Sequence, residues 1–263
     1  MKKQLILCLF AFLIALLGAQ GSPNVLFISI DDLNDWPAVF KGPPQAKTPN
    51  IDRLAERGTL FADAHCQFPL CGPSRASLMS GMHTTSLEFY THMKDEELQK
   101  RAHEKGTLLM HEYFSKHGYK TMAVGKICHE HVPEGSVDIS GGREPFGPKP
   151  KPGFKWKSDI TSTDWGAWPE RDEDTPDFRS AQWAVERLNE KHDKPFLLMA
   201  GFLRPHVPWF VPQKWFDKQV DTKSLTLPPY KPDDWDDIPP FAPSVAQEPQ
   251  YPTTEWAIEN KEW

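Results

Sequence analysis

Cys71 opens the run Cys71-Gly72-Pro73-Ser74-Arg75, whose glycine and proline suit the first turn of a helix. A helix N-terminus presents unpaired N–H groups and a positive potential, which attract anions and lower a thiol pKa. Arg75, one turn further on, is a natural partner for an oxyanion. The same thiol also reads as a buried structural cysteine or as half of a disulfide, and the spacing lacks the Cys-x5-Arg loop of a thiol phosphatase. Asp31 and Asp32 form a second cluster. Adjacent carboxylates repel each other unless a cation lies between them, and their hard oxygens suit Ca²⁺ or Mg²⁺. A solvated acidic turn is the alternative. Lys126 and His129, three residues apart, and His206 in "GFLRPHVPW" complete the set. Each alone reads as a surface residue as readily as a catalytic one.

What joins these clusters is the elements before them. "NVLFISI", residues 24–30, is a continuous apolar run and predicts a fully buried strand that ends at Asp31-Asp32. Thr48-Pro49 predicts a capped helix through "NIDRLAERG", stopping at Gly58. "TLFADAH" predicts a short strand, and residues 73–79 a helix just after Cys71-Gly72. Thr107 is the expected cap of "LLMHEYFSKHG", and "YKTMAVG" the strand that delivers Lys126 and His129. Residues 132–174, rich in Pro, Gly, Lys and Trp, predict a long ordered loop. Thr175-Pro176 opens the amphipathic "DFRSAQWAVERLNEKH", and "PFLLMAGF" is a buried strand running toward His206. Strands alternating with helices predict a doubly wound, mostly parallel α/β sheet. Such a sheet binds ligands at the carboxyl ends of its strands, where all these clusters fall.

The chain's ends read differently. Lys2 and Lys3 precede an apolar run over 5–17 and then "GAQGS", the pattern of a signal peptide over 1–21. That run is short of the roughly 20 residues a membrane span needs, so the expectation is a secreted or periplasmic protein with no stable span. Loss of 1–21 removes two lysines and no acid, taking the formal charge from -6 to -8. A mildly acidic surface argues against nucleic acid as a partner. The 26 prolines and 10 tryptophans point to rigid loops rather than disorder. Residues 227–252 form a proline-rich acidic stretch, and "TTEWAIENKEW" predicts the beginning of an amphipathic helix.

The motifs together resemble the formylglycine-dependent sulfatase family. "CGPSRASLMSG" is similar to the family signature, "NVLFISIDDLND" to its first strand with a metal-binding aspartate pair, "VGKICH" to its Gly-Lys-x-x-His segment, and "GFLRPHVPW" to its later histidine segment. The wording is closest to iduronate-2-sulfatase-like members, and the resemblance covers about residues 23–263. It implies an alkaline-phosphatase-like α/β fold, with 22–263 as the N-terminal part of the catalytic domain. It implies that Cys71 is converted to formylglycine by the cell's formylglycine-generating machinery, and that the hydrated aldehyde attacks the sulfur of a sulfate ester. Asp31, Asp32 and the modified residue 71 would hold Ca²⁺. Arg75 would stabilise the hydrate and the metal shell, while Lys126, His129 and His206 would serve sulfate oxygens and proton transfer. The expected substrate is a sulfated saccharide or small sulfate ester. One departure stands: the family's later Asp-His/Asn pair and lysine have no counterpart here, so the expected shell is short of ligands. The alternatives are an inactive truncated domain, or a related phosphatase or phosphonate hydrolase. With Cys71 modified, Cys66 and Cys128 remain as an even pair for which a disulfide is one arrangement.

Overall fold

The computed structural model describes residues 21–42, 46–151, 153 and 163–218, and toward the end of the chain 231, 233, 236–242, 256, 259 and 260. Strands β1 (Val25–Ile30), β2 (Lys120–Gly125), β3 (Ile139–Ser140) and β5 (Phe196–Phe202) form one sheet in the order β1-β5-β2-β3. Every pairing in it is parallel, as the alternation of apolar runs and helices predicts. β4 (Trp165–Ala167) and β6 (Trp209–Val211) form a separate parallel pair. The helices are α1 (Pro49–Glu56), α2 (Cys71–Ser80), α3 (Thr84–Leu87), α4 (Asp95–Glu104), α5 (Met110–Lys116), α6 (Pro176–Leu188) and α7 (Gln213–Asp217). Among the described residues no helix is long and apolar enough to cross a membrane.

The sheet is covered on both faces because successive residues of a strand point to opposite sides. Ala123, Leu197 and Met199 pack with Ala76, Met79, Leu98 and Leu109 of the α2–α5 side. Their neighbours Met122, Val124, Leu198 and Ala200 pack with Trp183 and Ala184 of α6. This two-sided burial is why β5 reads as seven apolar or small residues with no polar alternation.

Five expectations are corrected. β1 is the edge strand of the described sheet, and Leu26 and Ile28 are 46% and 48% exposed, so its apolar run is only half covered. Residues 59–65 form no strand: they lie as turn and coil, with Phe61 exposed. α2 begins at Cys71 itself, which puts Pro73 at the third helical position, where no intrahelical N–H is required. α5 is capped not by Thr107 but at Leu109, whose N–H donates to Glu112 at 2.8 Å. Thr107 Oγ1 instead donates to Ser80 O at 3.4 Å. Thr175 does cap α6, accepting from Phe178 N–H at 3.3 Å, and α6 ends at Leu188, short of the expected 192. The loop over 132–174 is ordered where described and contains β3 and β4. Apart from Gly21, the expected signal peptide lies outside the described residues, as do 154–162 and most of 227–263.

Candidate active site

The register aligns the strand ends. Ile30 pairs with Phe202, and Gly125 with Gly201, so Asp31, Lys126 and the segment after Phe202 leave the sheet at one level. β2 and β5 approach so closely there that a Cβ on Gly201 would lie 2.0 Å from Lys126 O, and one on Gly125 1.9 Å from Gly201 O. Gly125 also has φ +77°, which favours glycine. Lys126 follows directly and is buried. Gly201→Ala is therefore expected to destabilise the fold by about 3 kcal/mol or more, because backbone rather than a flexible side chain must move. Urea unfolding measures this, and a loss within about 0.5 kcal/mol, the ordinary surface range, would sink the crowding argument.

Asp31 is the hub. Its N–H donates to Phe202 O at 3.0 Å, continuing the β1–β5 ladder. Arg75 Nη2 donates to its Oδ1 at 2.8 Å, and Lys126 Nζ donates to its Oδ2. Lys126 is 1% exposed and Asp31 3%, so the ion pair lies out of water. Burial alone would raise the Asp31 pKa, but Arg75 and Lys126 outweigh it and hold the carboxyl below its ordinary value. Arg75 reaches this position from the second turn of α2, and its Nη1 also donates to Lys126 O at 2.6 Å, Ile127 O at 2.9 Å and Ser29 Oγ at 3.2 Å. One guanidinium thus binds the ends of β1, β2 and α2 together.

Asp32 follows with φ 60° and is exposed. Its Oδ2 lies 3.9 Å from His206 Nε2, and Asp31 Oδ2 lies 4.0 Å from the same atom. His206 Nδ1 donates to Val207 O at 2.6 Å, which assigns that nitrogen the proton. Its Nε2 is then left facing two carboxylates. Two carboxylates converging on one place is an arrangement a cation satisfies. The donor chemistry fits a hard divalent ion, and Asp31 and Asp32 supply part of the six to eight oxygens that Ca²⁺ takes.

Cys71, half-buried at the first position of α2, has its Sγ 4.0 Å from His92 Nε2. His92 stacks on His129, with ring centroids 4.0 Å apart and planes at 12°. Burial, then the neighbouring His92 and Lys126, push the His129 pKa down to about 4. His92 is lowered too, first by burial and then by Lys126 and His206. Cys71, Asp31, Asp32 and Arg75 all line an open groove of about 560 Å³, with Cys66 and Phe68 on its wall. Cys66 is exposed and Cys128 fully buried, and both are free, so the Cys66–Cys128 disulfide is absent. Burial pushes the Cys128 thiol pKa well up.

The geometry thus brings all seven sequence-derived residues to one rim, in two adjoining groups: Asp31, Asp32, Arg75, Lys126 and His206; and Cys71 and His129. It adds four that sequence reasoning missed. His92 joins the second group from the segment before α4. Asp95, the first residue of α4, accepts from Glu130 N–H at 3.2 Å and His131 N–H at 2.6 Å, fixing the loop that carries His129. Asp177, in the first turn of α6, accepts from Leu203 N–H at 2.7 Å and Arg204 N–H at 2.9 Å, fixing the approach to His206. Burial raises the pKa of both carboxyls despite these bonds. Arg143 Nη1 donates to His129 O at 3.2 Å, and its guanidinium lies 5.3 Å from the Phe146 ring, which in turn packs against His206. Of the aromatics after His206, Phe210 is core while Trp209 and Trp215 remain substantially exposed.

The profile of the Sulfatase family matches residues 23–227. A sulfatase of Formosa agariphila is 43% identical over 255 residues, covering 92% of this chain and 50% of that protein. Iduronate 2-sulfatase of Homo sapiens is 30% identical over 235 residues, covering 83% of this chain and 41% of that protein. Among solved structures, the putative sulfatase yidJ from Bacteroides fragilis superposes with a TM-score of 0.52 at 19% identity, covering 84% of this chain and 54% of that one. At that identity the likeness concerns the fold alone: a mostly parallel sheet flanked by helices, of the alkaline-phosphatase type. The chain spans about half the length, or less, of the curated relatives it matches. With the profile covering most of the chain and its four motif segments gathered at one rim, the chain belongs to the sulfatase family.

Proposed function

We propose that the chain carries the nucleophile and part of the metal shell of a sulfuric ester hydrolase acting on sulfated saccharides, in a secreted or periplasmic protein. The observation that carries this reading is the convergence of Asp31, Cys71, Lys126 and His206, from four distant segments, at the carboxyl ends of one parallel sheet. Converted to formylglycine by the cell's modifying machinery, residue 71 supplies a geminal diol as nucleophile for the sulfur of a sulfate ester. Asp31 and Asp32 would hold Ca²⁺, with Mg²⁺ the second choice, and the ion would supply Lewis acidity to the ester oxygens.

The remaining roles belong to side chains in place. Arg75 and Lys126 hold the Asp31 carboxyl below its ordinary pKa and so favour the ionised form that binds a hard cation. His206 presents Nε2 on the carboxylate side of the groove, placed to exchange a proton with a departing alcohol. His129, neutral at ordinary pH, stacks on the His92 ring that faces residue 71 and is the candidate base on that side. Saccharide as substrate class is supported by the sugar acid in the name of the human relative, and by exposed Trp209 near His206 as a stacking surface. The Lys2-Lys3, apolar and small-residue pattern at the N-terminus supports export.

The full-length protein is expected to release sulfate from an aryl or sugar sulfate, and Cys71→Ala to lower the rate by at least about a thousandfold, the scale of losing a covalent nucleophile. Sulfate release retained in Cys71→Ala would overturn the mechanism. Phosphate release outpacing sulfate release would move the reading to the phosphatase branch.

A further inference from the structure

The sequence encodes a thiol at residue 71, and the thiol has surroundings of its own. Cys71, His92 and His129 each offer a ligand atom within 4.8 Å of the others. The Cys71 Sγ to His92 Nε2 distance is 4.0 Å. Zinc–sulfur and zinc–nitrogen bonds of about 2.3 and 2.0 Å set the edges of a tetrahedral site at about 3.5 Å, so closure on an ion draws the ligand atoms together by about 0.5–1.3 Å and turns one ring to aim its nitrogen. A second observation points the same way: among the described residues, His129 Nδ1 is a buried atom without a hydrogen-bond partner. Gly72 completes the pocket wall. A Cβ there would lie 2.8 Å from His92 Nδ1, so only glycine lets the His92 ring come this close to the first turn of α2.

We propose that in the chain whose Cys71 remains a thiol, Cys71, His92 and His129 form a three-ligand Zn²⁺ site with the fourth position open to solvent. One sulfur and two imidazole nitrogens are the donor set of a borderline-soft ion, in contrast to the carboxylate oxygens of Asp31 and Asp32 close by. The chemical state of one side chain then selects the metal: thiolate with imidazoles takes zinc, while oxygen at the same position belongs with the hard-cation side. The stacked rings must open for both nitrogens to face one ion. His92 is the ring that can turn, because it is exposed and sits outside any helix or strand, whereas His129 is held in the loop behind Lys126. Binding releases the thiol proton and forms one Zn–S and two Zn–N bonds, with no redox change. The inference concerns the unconverted chain and stands or falls separately from the hydrolase reading.

The test uses the full chain produced without formylglycine conversion, reduced, and titrated with Co²⁺ as a spectroscopic probe and with Zn²⁺ in competition. A near-ultraviolet thiolate-to-cobalt band is expected to saturate at one ion per chain and to be displaced by Zn²⁺. Cys71→Ser abolishes the band, His92→Gln weakens binding by at least about tenfold, and Cys66→Ser leaves both unchanged. Circular dichroism of each variant establishes that the fold is retained, and exposed His92 and Cys66 are the substitutions least able to disturb it. Absence of the band in the reduced parent chain, its persistence in Cys71→Ser, or undiminished affinity in folded His92→Gln would each overturn the site.

Discussion

Asp31→Ala is expected to lower the unfolding free energy by about 3–5 kcal/mol, because removing one partner of a buried ion pair strands the others. Arg75 and Lys126 would be left as two neighbouring cations with no carboxylate between them, and Lys126 has almost no exposure to water. The same substitution removes the acceptor that holds the end of α2 against the ends of β1 and β2, so packing and charge fail together. Lys126→Met should cost less, since Arg75 still neutralises Asp31. The double variant should be more stable than the sum of the single losses predicts, by a coupling of about 1–3 kcal/mol. Urea unfolding of the four proteins closes this cycle. If Asp31→Ala costs under about 1 kcal/mol, the value of an exposed pair, then water rather than Asp31 satisfies the cations and the hub reading fails.

The hub was legible in sequence to the extent that its members sit directly after strands. An apolar run such as Phe196–Phe202 identifies itself, since both its faces are buried, and whatever follows it must emerge at the sheet's edge. That logic located Asp31, Lys126 and His206 without any contact being known. It failed on β1 for an instructive reason: Val25 and Phe27 pack against the core on one face while Leu26 and Ile28 on the other stay exposed, and an unbroken apolar run does not report whether both faces are covered. It also could not see His92, Asp95, Asp177 or Arg143. Asp95 and Asp177 occupy first turns of helices, where acidic residues are ordinary helix-dipole partners. Their use as clamps on loops 26 to 36 positions away exists only once the chain has folded. Helix starts were misplaced at Thr107 and Pro73 because cap preference is a weak signal beside tertiary packing.

His111 offers the second large effect, and its readout is acid stability. It lies in the first turn of α5, fully buried, and among the described residues neither ring nitrogen has a hydrogen-bond partner. Burial, with His131 adding to it and Glu112 opposing, pushes its pKa from 6.5 down to about 4. The sign follows from proton counts. Between those two values the unfolded chain binds a proton that the folded chain refuses, so stability rises with pH across that window. Above about pH 6.5 the imidazole is neutral in both states and contributes no slope. As pH falls from 6.5 to 4, its share of the stability loss approaches about 3 kcal/mol at 1.36 kcal/mol per unit. His111→Leu keeps the volume and removes both the titration and the unpartnered nitrogens. The variant's unfolding free energy is therefore expected to fall more gently below pH 6.5, with the gap from the parent widening steadily toward pH 4. Parallel curves across that window would mean that His111 reaches solvent or a proton acceptor in the folded state, and that the acid sensitivity of this core arises elsewhere.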